Sequence, residues 1–509
     1  MTKEKKLSVA AIVAAAFYAA VFFITGIFIF KNMYYTFAAM PFILSAVALL
    51  PIIFAILNCI LFKNGKISGA VISASLIMAL GHFLFAAYVL SKLTYLLITG
   101  LPVFGVIALV ALFVFFIAFY PKLNKAAKAA SAVITGVVLF FVSVFGVLKL
   151  NLFYFTSDGV VFAAEDEYQI AWSTSVKSTG CVTVGGVTYC DESNGENRVS
   201  TLHKVSVPMS VLDQEKSYTI ASAPVYSEAA YLSVSGRQRS KEYAFRPVDT
   251  SDGLQIYNIS DSHEVLSGTS KAAGYFEDKL DILILNGDII NDVSSLWQIS
   301  LIYKLASRIT GGEVPVIYSR GNHECNGKYA DELADYVGSY NGKLYYNVKL
   351  GDAYFTVLDT NNDMQDSNIL ISPAANFETQ RKEQTEWLNS LTYFGEDCEY
   401  RFLIAHMAFA LSDYSRFPEW TAELIAATDG KYDLCISGHS HILEYSEAGT
   451  GTSTSYPVIR GSIRSDTRSR GEGVDPTAFT GTAITCGGGN ITAMFTNSKG
   501  KATQTIIIK

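Results

Sequence analysis

Acidic residues are nearly missing from the first 150 residues of this 509-residue chain. Glu4 is the only acid there, against eleven lysines and no arginine, which gives a net charge of +10. Coupled transporters carry buried ionisable side chains within their membrane spans. His82 is the one candidate for such a role. The composition therefore favours a membrane anchor or helix-packing module, with a groove that presents a lipid-like substrate as the minority interpretation.

Long apolar runs fill this part of the chain, at 7–30, 36–62, 67–90, 95–119 and 130–150. Each reaches the roughly 20 residues needed to cross a bilayer. The first is too long for a signal-peptide core, so we interpret it as a retained span. Eight lysines lie on the side of the N-terminus and three on the other, which places the N-terminus in the cytoplasm.

An odd number of spans places everything after about residue 150 outside the cytoplasm. The sequence thus predicts a five-helix transmembrane region over 1–150 in a multi-pass protein of the cell membrane. A count that differed by one span would reverse the side. Membrane lipid is accordingly an expected partner.

The remaining 359 residues have the opposite charge, with 28 basic and 45 acidic side chains and a net charge of −17. Binding to nucleic acid relies on Lys and Arg that neutralise phosphates. We therefore expect no nucleic-acid partner. Nothing in the sequence indicates an oligomeric state.

Short alternating segments separated by turn residues run from 155 to 248 and predict a β-sandwich module of the fibronectin III-like kind. One hairpin is readable in detail, because Gly185-Gly186 suits a two-residue turn. Counting outward from this turn pairs Cys181 with Cys190, where side chains of facing strands are close. A disulfide is a candidate there, and it needs an oxidising compartment.

Strands and helices alternate from residue 252 to 509, which predicts a layered α/β domain. The predicted strands are 254–259, 280–285, 314–318, 344–350, 353–358, 401–404 and 434–436, and the predicted helices are 293–309, 326–337, 377–393 and 418–427. The tail, 455–509, returns to β structure with a hairpin over 497–500.

Histidine is scarce, with seven in the chain, and five of them follow predicted strands together with acids and an asparagine. The candidate metal ligands are Asp261, His263, Asp288, Asn322, His406, His439 and His441. Open α/β sheets place ligands at the carboxyl ends of their strands. Asp261 and His263 alternate along what we interpret as an extended segment, so both can reach one ion.

Each of these pieces has an ordinary structural interpretation when taken alone. An Asp-x-His in a loop is more often incidental, Gly-Asp is commonly a turn, and a lone His406 could be a hydrogen-bonded core histidine. All the pieces in this order, each at a strand end, favour a site for two divalent ions. Two such ions, about 3.5–4 Å apart, can clamp and split a phosphate ester.

The same pieces resemble the signature of the calcineurin-like metallophosphoesterase superfamily over about 254–445, with a four-layer α/β sandwich as the implied fold. The connecting segments Tyr345-Tyr-Asn-Val and Gln384-Thr-Glu-Trp387-Leu388 also match. The preceding β module resembles, more loosely, that of purple acid phosphatases. Those enzymes have glycine where His263 stands and a tyrosine ligand where Asn291 stands. The resemblance therefore implies an ordinary dimetal site without iron-tyrosinate chemistry.

The resemblance also implies roles for the residues. Asp261, His263, Asp288 and His441 would hold the first ion, and Asp288, Asn322, His406 and His439 the second. His323 would not be a ligand but would protonate the leaving oxygen, with Glu324 as its orienter. The two ions would be Mn, Zn, Fe or Mg, and a bridging hydroxide would attack phosphorus in line. Asn291 and Asp292 would be supporting residues, and Arg320 could touch a phosphate oxygen or be structural.

The sequence thus predicts a membrane-anchored, extracytoplasmic phosphoesterase, with monoesters favoured. The alternatives are a phosphodiesterase, a hydrolase of lipid-linked phosphates, and a non-catalytic envelope protein that keeps a metal site for structure. The presence of His323 argues against the last, because a purely structural site does not need it.

Overall fold

The computed structural model describes residues 153–229, 232–411, 417–463, 475 and 477–509. The five predicted membrane spans over 1–150 lie outside these residues. In the part that is described, no helix is both long enough and apolar enough to span a membrane. The chain divides into two compact units, one of 1–151 with 226–235 and one of 152–225 with 236–509. The described part of the first unit contains strand Leu232–Ser235.

The second unit is built from strands and five α-helices within the described residues. The strands are β1 (Val160–Ala164), β2 (Glu167–Val184), β3 (Val187–Cys190), β4 (Glu192–Ser193), β5 (Glu196–Asn197), β6 (Ser200–Pro208), β7 (Ser217–Ala229, whose end belongs to the first unit), β8 (Leu232–Ser235, in the first unit), β9 (Arg239–Ala244), β10 (Leu254–Ile259), β11 (Ile282–Asn286), β12 (Pro315–Ser319), β13 (Tyr346–Leu350), β14 (Ala353–Leu358), β15 (Tyr400–Ala405), β16 (Leu434–Ser437), β17 (Glu444–Ser446), β18 (Val458–Arg460), β19 (Thr480–Gly487), β20 (Asn490–Asn497) and β21 (Ile506–Ile507). The helices are α1 (Met209–Glu215), α2 (Leu266–Ala273), α3 (Leu296–Thr310), α4 (Phe377–Ser390) and α5 (Pro418–Thr428).

The first sheet has the order β21-β20-β19-β10-β11-β12-β1-β2-β7. Its centre is parallel, because β10 pairs with β11, β11 with β12 and β12 with β1 in parallel register. The flanking pairs β10–β19 and β1–β2 are antiparallel. Burial on both faces explains why the central strands are continuous apolar runs.

The second sheet has the order β13-β14-β15-β16-β18-β17. Its central pairs β14–β15, β15–β16 and β16–β18 are parallel, and both edges are antiparallel. Both sheets are therefore mixed, as a metallophosphoesterase fold requires.

Three hydrophobic cores separate four layers. The first core joins the facing sides of the two sheets, for example through Ile284 and Phe402. A second core packs α3 on the outer face of the first sheet, through Ile299 and Leu283. The third packs α4 and α5 on the outer face of the second sheet. The layer order is helix, sheet, sheet, helix, which agrees with the predicted four-layer α/β sandwich.

The β strands before residue 250 differ from the prediction of a separate sandwich at 155–248. Strand β1 pairs in parallel with β12 of the first sheet, and Trp172 and Val205 belong to the same core as Ile256 and Ile284. The buried Lys204 ammonium also donates to the carbonyl oxygens of residues 334 and 337, at 2.6 and 2.8 Å. These strands extend the first sheet because their apolar faces are buried by its core.

Most predicted helices are observed with shifted ends, but the helix predicted at 326–337 is wrong. Only a short 3-10 turn, Leu333–Asp335, forms in that segment. Gly327 has a φ of +119° and packs against the backbone of Val293, which is incompatible with a continuing helix. The pattern also missed α2, whose short sequence is rich in Ser, Gly and Ala.

The hairpin around Gly185-Gly186 has the register counted from the sequence. Cys181 lies opposite Cys190, and their sulfur atoms are bonded at 2.08 Å. Both glycines have positive φ, at +55° and +83°, as the two-residue turn requires.

Candidate metal centre

The predicted ligands come together where strands of both sheets end. Asp261 and Asp288 follow β10 and β11, and Asn322 follows β12. From the second sheet, His406 follows β15 and His439 follows β16. The carboxyl ends of parallel strands meet at one edge, so pieces far apart in the chain form one cluster.

The backbone of the ligands differs from the extended segments expected from the sequence. Asp261, His263, Asp288, His439 and His441 all have positive φ, between +45° and +68°. Such backbone costs about 1–3 kcal/mol per residue and persists only where surrounding contacts impose it.

Backbone hydrogen bonds between neighbouring strand ends impose it on the Asp261 segment. The amides of Asp261 and His263 donate to the carbonyl oxygens of Gly287 and Asp288, both at 3.0 Å. Asp261 and His263 do converge, as the sequence predicted. They converge because of these hydrogen bonds, and not because residues alternate along an extended strand.

The glycines before the ligands serve two purposes. Gly287 has a φ of +75°, which suits glycine. Gly321 is needed instead because its backbone lies very close to Asp288. An added Cβ would be 2.3 Å from the Asp288 amide nitrogen and from its carboxylate. At Gly438 the same atom would lie 2.2 Å from Ser260 Oγ. These glycines let three loops share one small volume.

One group of ligand atoms contains Asp261, His263 and His441, which lie within 4.8 Å of one another. The Nε2 atoms of the two histidines are 3.3 Å apart, and His441 Nε2 is 3.4 Å from Asp261 Oδ1. Asp288 Oδ2 is 4.0 Å from His263 Nε2. This is the group expected for the first ion.

A second group contains Asp288, His406 and His439. His406 Nε2 is 3.4 Å from Asp288 Oδ2, and His439 Nδ1 is 2.9 Å from Asn322 Oδ1. Two donor atoms that each lie about 2.1 Å from the same ion, at a right angle seen from that ion, are about 3 Å apart. The distances within this group are close to that value. Asp288 belongs to this second group and also approaches His263 of the first, so its carboxylate lies between the two groups.

Two buried atoms in these groups support cation binding independently of their spacing. Asp261 Oδ1 and His406 Nε2 have no hydrogen-bond partner among the described residues, although such atoms are normally bonded. His406 Nδ1 lies 2.7 Å from the carbonyl oxygen of Asn286, so the neutral ring carries its proton on Nδ1 and presents the Nε2 lone pair. Imidazole, carboxylate and amide donors fit a divalent metal ion.

The charges of the cluster depend on one another. Burial raises the pKa of Asp288, but His406 and His323 outweigh it, so the pKa falls below its usual range. Burial lowers the pKa of His406, and the Asp288 carboxylate reverses this and raises it to about 10. Burial and the neighbouring His406 lower the pKa of His439 to about 4. A proton on His406 thus balances Asp288 where a metal ion could do so.

His323 lies beside the cluster and is partly exposed. Its Nε2 is 3.9 Å from Asp288 Oδ2, and its side chain is 41% exposed. Nδ1 donates to the carbonyl oxygen of Asn291 at 2.9 Å, so Nε2 carries a proton only when the ring is cationic. Its location suits proton donation to a substrate that approaches from solvent. His323 Nε2 also falls within 4.8 Å of ligand atoms of His263 and Asp288.

Asn291 supports two histidines at once. Its backbone oxygen accepts from His323, and its side-chain Oδ1 is 3.2 Å from His263 Nδ1. An amide oxygen only accepts, so His263 carries its proton on Nδ1 and directs Nε2 into the cluster. Asp292 instead accepts from the Ser294 amide and Gln298, which orders the start of α3.

Among the described residues the Glu324 carboxylate makes no hydrogen bond to His323, which corrects its predicted role as an orienter. Its buried carboxylate accepts four backbone amides: Oε2 from Asp288 and Gly321 at 2.9 and 3.0 Å, and Oε1 from Ile289 and Ile290 at 2.7 and 3.2 Å. Burial raises the pKa of this carboxyl, and the amide hydrogen bonds oppose the rise. Glu324 fastens the Asp288 loop to the Asn322 loop.

Arg320 is structural rather than directed at substrate. It is buried, and its guanidinium donates to both carboxylate oxygens of Asp359 at 3.1 and 2.6 Å. A third bond reaches Asn361 Oδ1 at 3.1 Å. Nε and Nη2 of the arginine are therefore occupied within the protein.

Arg460, at the end of β18, was not singled out from the sequence. Its Nη1 donates to Ser440 Oγ at 3.3 Å, between the two histidines of the His439–His441 segment. It also forms an ion pair with Glu444. Only the parallel pairing of β16 with β18 brings Arg460 to this loop, so no local signal could have found it.

A Ser-His-Asp arrangement lies elsewhere in the first sheet. His203 Nε2 is 2.9 Å from Ser178 Oγ, and His203 Nδ1 is 3.1 Å from Asp191 Oδ2. Ser178 and His203 have no exposed surface. No substrate could reach this serine, so the group is a buried polar link between strands.

The fold and the site together define a metallophosphoesterase type of α/β domain, with carboxylate, imidazole and amide donors at the strand ends of two facing sheets. Residues 254–443 match the calcineurin-like phosphoesterase family. The chain thus carries a calcineurin-like metallophosphoesterase domain. No curated protein matches the sequence of the whole chain.

Several solved structures are similar to this chain at low identity. A purple acid phosphatase from yellow lupin (Lupinus luteus) seeds has 14% identity and a TM-score of 0.45, covering 69% of this chain and 74% of that one. A protein named PhoD has 12% identity and a TM-score of 0.39, covering 69% and 88%. Vps29 with zinc from Entamoeba histolytica has 10% identity and a TM-score of 0.25, covering 50% and 100%. Likenesses this distant do not specify an activity.

Proposed function

We propose that this protein is a membrane-anchored, extracytoplasmic phosphoesterase that depends on two divalent metal ions. The observation that carries the proposal is the convergence of the seven predicted donors at one edge of the two sheets. Asp261, His263 and His441 form one group, and Asp288, His406 and His439 form another. Asp288 also lies 4.0 Å from His263, and Asn322 lies 2.9 Å from His439. A metal-dependent phosphoesterase domain is consistent with the family match. Phosphate monoesters are the favoured substrates, on the resemblance of the motifs to purple acid phosphatases.

The donors divide between two positions. Asp261, His263 and His441 would hold one ion, and Asn322, His406 and His439 the other, with Asp288 contributing to both. Divalent ions bound there would neutralise phosphate charge and activate a water molecule as the nucleophile.

The protein residues around the ions prepare the reaction. His323 would donate a proton from Nε2 to the leaving oxygen, because its Nδ1 is fixed on the Asn291 carbonyl oxygen. Asn291 keeps His263 in the tautomer that directs Nε2 inward. Glu324 holds the backbone on which Asp288 and Asn322 are mounted.

The location outside the cytoplasm rests on the lysine distribution of the first 150 residues. The Cys181–Cys190 disulfide supports it, since disulfides persist in oxidising compartments. The catalytic domain would then act on esters outside the cell or in the envelope.

The test is hydrolysis by the full chain, purified in detergent, of p-nitrophenyl phosphate and bis-p-nitrophenyl phosphate. We expect turnover with added Mn²⁺ or Zn²⁺, faster for the monoester, and loss of turnover after chelation that metal restores. His323→Ala is the matched control, because it removes the proposed proton donor but no proposed ligand. It should therefore keep its metal and lose turnover.

Two metal ions bound per chain without turnover of either ester would refute the enzyme proposal and favour a binding protein. Faster turnover of the diester would refute the monoester preference alone. Metal content is measured on the same samples, so the two failures are distinguishable.

A further inference from the structure

A loop that begins at the metal centre presents large aliphatic side chains to solvent. We call residues 363–376 the rim loop. Within it Ile369 is 90% exposed and Leu370 is 76% exposed, and Ile369 is the most exposed large hydrophobic residue in the described part of the chain. Two adjacent aliphatic side chains with this exposure are unfavourable in water.

The rim loop begins at the metal centre. Just before it, Asn362 Nδ2 donates to Asn326 Oδ1 at 3.3 Å, and Asn326 Nδ2 donates to the carbonyl oxygen of Asn322 at 2.9 Å. On the other side, Thr360 Oγ1 accepts from the amide of Met407 at 3.2 Å, next to His406. The chain therefore passes between residues that contact the neighbours of Asn322 and His406, and then continues into the rim loop.

The exposure of the tip is built into a hydrogen-bonded turn. Asn368 Oδ1 accepts from the Leu370 amide at 3.0 Å, and the carbonyl oxygen of Asn368 accepts from the amides of residues 371 and 372, at 3.0 and 2.8 Å. Asp366 ties the loop to the start of α4, by accepting from the Glu378 amide at 3.0 Å. The turn thus holds Ile369 and Leu370 outward.

A cavity of about 340 Å³ lies between the start of the rim loop and the start of α5. Its lining mixes apolar and polar side chains. The residues that line it are Asp363, Met364, Gln365, Ser367, Asn368 and Phe417. Such a mixture suits the junction between a polar headgroup and an apolar tail.

We propose that the rim loop binds the acyl chains of a membrane lipid whose phosphate group occupies the metal centre. This inference rests on the proposed function and names its substrate class, a lipid phosphate. The occupant is argued from the same chain, whose first 150 residues hold five runs long enough to span a bilayer. A domain attached to such spans would meet lipid esters at high local concentration.

Charge favours an apolar contact over attraction to an anionic surface. Residues 151–509 carry a net charge of −17, so the domain has no general attraction to an anionic membrane surface, and only the metal centre would attract the phosphate of the lipid. Burial of Ile369 and Leu370 among acyl chains does not depend on charge. Moving both side chains from water into contact with acyl chains should favour a substrate that has acyl chains by about 10-fold or more.

The test compares one phosphate group with and without acyl chains. The full chain in dodecyl maltoside micelles, loaded with Mn²⁺, is assayed on glycerol 3-phosphate, dihexanoyl and dioctanoyl phosphatidic acid, with p-nitrophenyl phosphate as reference. We expect kcat/KM to rise with acyl length in the unmodified protein. The double variant Ile369→Ser/Leu370→Ser should reduce the ratio of dioctanoyl phosphatidic acid to p-nitrophenyl phosphate turnover about 10-fold.

The matched control is Ile507→Ser. Ile507 is 74% exposed, like Leu370, but it lies on the edge strand β21 of the first sheet. Its replacement should leave the lipid-to-soluble ratio unchanged.

Three results would overturn the inference. The first is p-nitrophenyl phosphate turnover without any dependence on acyl length. The second is an equal loss on all substrates in the double variant with a lower unfolding temperature, which would mean that another part of the chain covers the rim loop. The third is an effect of Ile507→Ser equal to that of the double variant. Absence of turnover on every ester would instead refute the proposed function, on which this inference depends.

Discussion

Replacing Glu324 with glutamine tests whether this residue fastens the metal loops or orients His323. The substitution keeps the size of the side chain but turns one of its two acceptor oxygens into an NH2 group. Each carboxylate oxygen accepts two backbone amides. One pair of buried N–H groups would therefore lose its acceptor and face a donor.

The expected loss follows from these contacts. Two charge-assisted hydrogen bonds are worth roughly 1.5–3 kcal/mol each, so the gross loss is about 3–6 kcal/mol. Removing a buried negative charge near Asp288 offsets part of it. We expect the free energy of unfolding to fall by about 2–4 kcal/mol, a large fraction of the typical 5–15 kcal/mol.

The assay is urea unfolding followed by tryptophan fluorescence. All four tryptophans lie between residues 172 and 420, so the signal reports on the second unit even in the full chain. The measurement is made after chelation, because bound metal would stabilise the folded state by itself. Glu332→Gln, at an exposed position, is the control and should change the free energy by less than about 0.5 kcal/mol.

One result would refute the reasoning. If Glu324→Gln unfolds like the unmodified protein but loses turnover most strongly with poor leaving groups, Glu324 acts through His323 after all. The four amide hydrogen bonds would then not be what the carboxylate is needed for.

Three further predictions concern the site and its location. His323→Ala should keep its metal content and lose about 10²–10⁴-fold in kcat, as expected for a proton donor; loss of metal would make His323 a ligand. Asn291→Ala should weaken metal binding about 10–100-fold through loss of the His263 hydrogen bond. Asn291→Asp keeps an acceptor and should bind metal like the unmodified protein. If a metal titration gave Asn291→Ala the same affinity as the unmodified protein, this role would be contradicted. A cysteine at Ser193, the exposed last residue of β4, should react with an impermeant maleimide in intact cells, measured in a Cys398→Ser background. Protection of this site would place the domain in the cytoplasm.

The identity of the donors was predictable because metal chemistry restricts them. Carboxylate, imidazole and amide groups that follow apolar runs are few in this sequence, and five of seven histidines lie in such positions. The convergence of Asp261 with His441, 180 residues apart, follows from where parallel strands end. The hairpin register at Cys181 and Cys190 was predictable because a two-residue turn fixes the pairing.

Other features depended on contacts between distant segments. The backbone of His263 is set by the carbonyl oxygen of Asp288, and no local pattern encodes a positive φ for histidine. The sequence predicted that the β strands before residue 250 form an independent module, because an alternating pattern indicates a strand but not the strand it pairs with. Pairing of β1 with β12 placed them in the first sheet.

The sequence by itself determined which candidate donors this protein has and at which strand ends they lie, since donor type and hydrophobic pattern are local properties. Only the tertiary structure decided what Glu324, Asn291 and Arg460 contact, and that Ile369 and Leu370 stand exposed in the rim loop. Those properties depend on which loops meet, and loops meet through pairing of strands that are far apart in the chain.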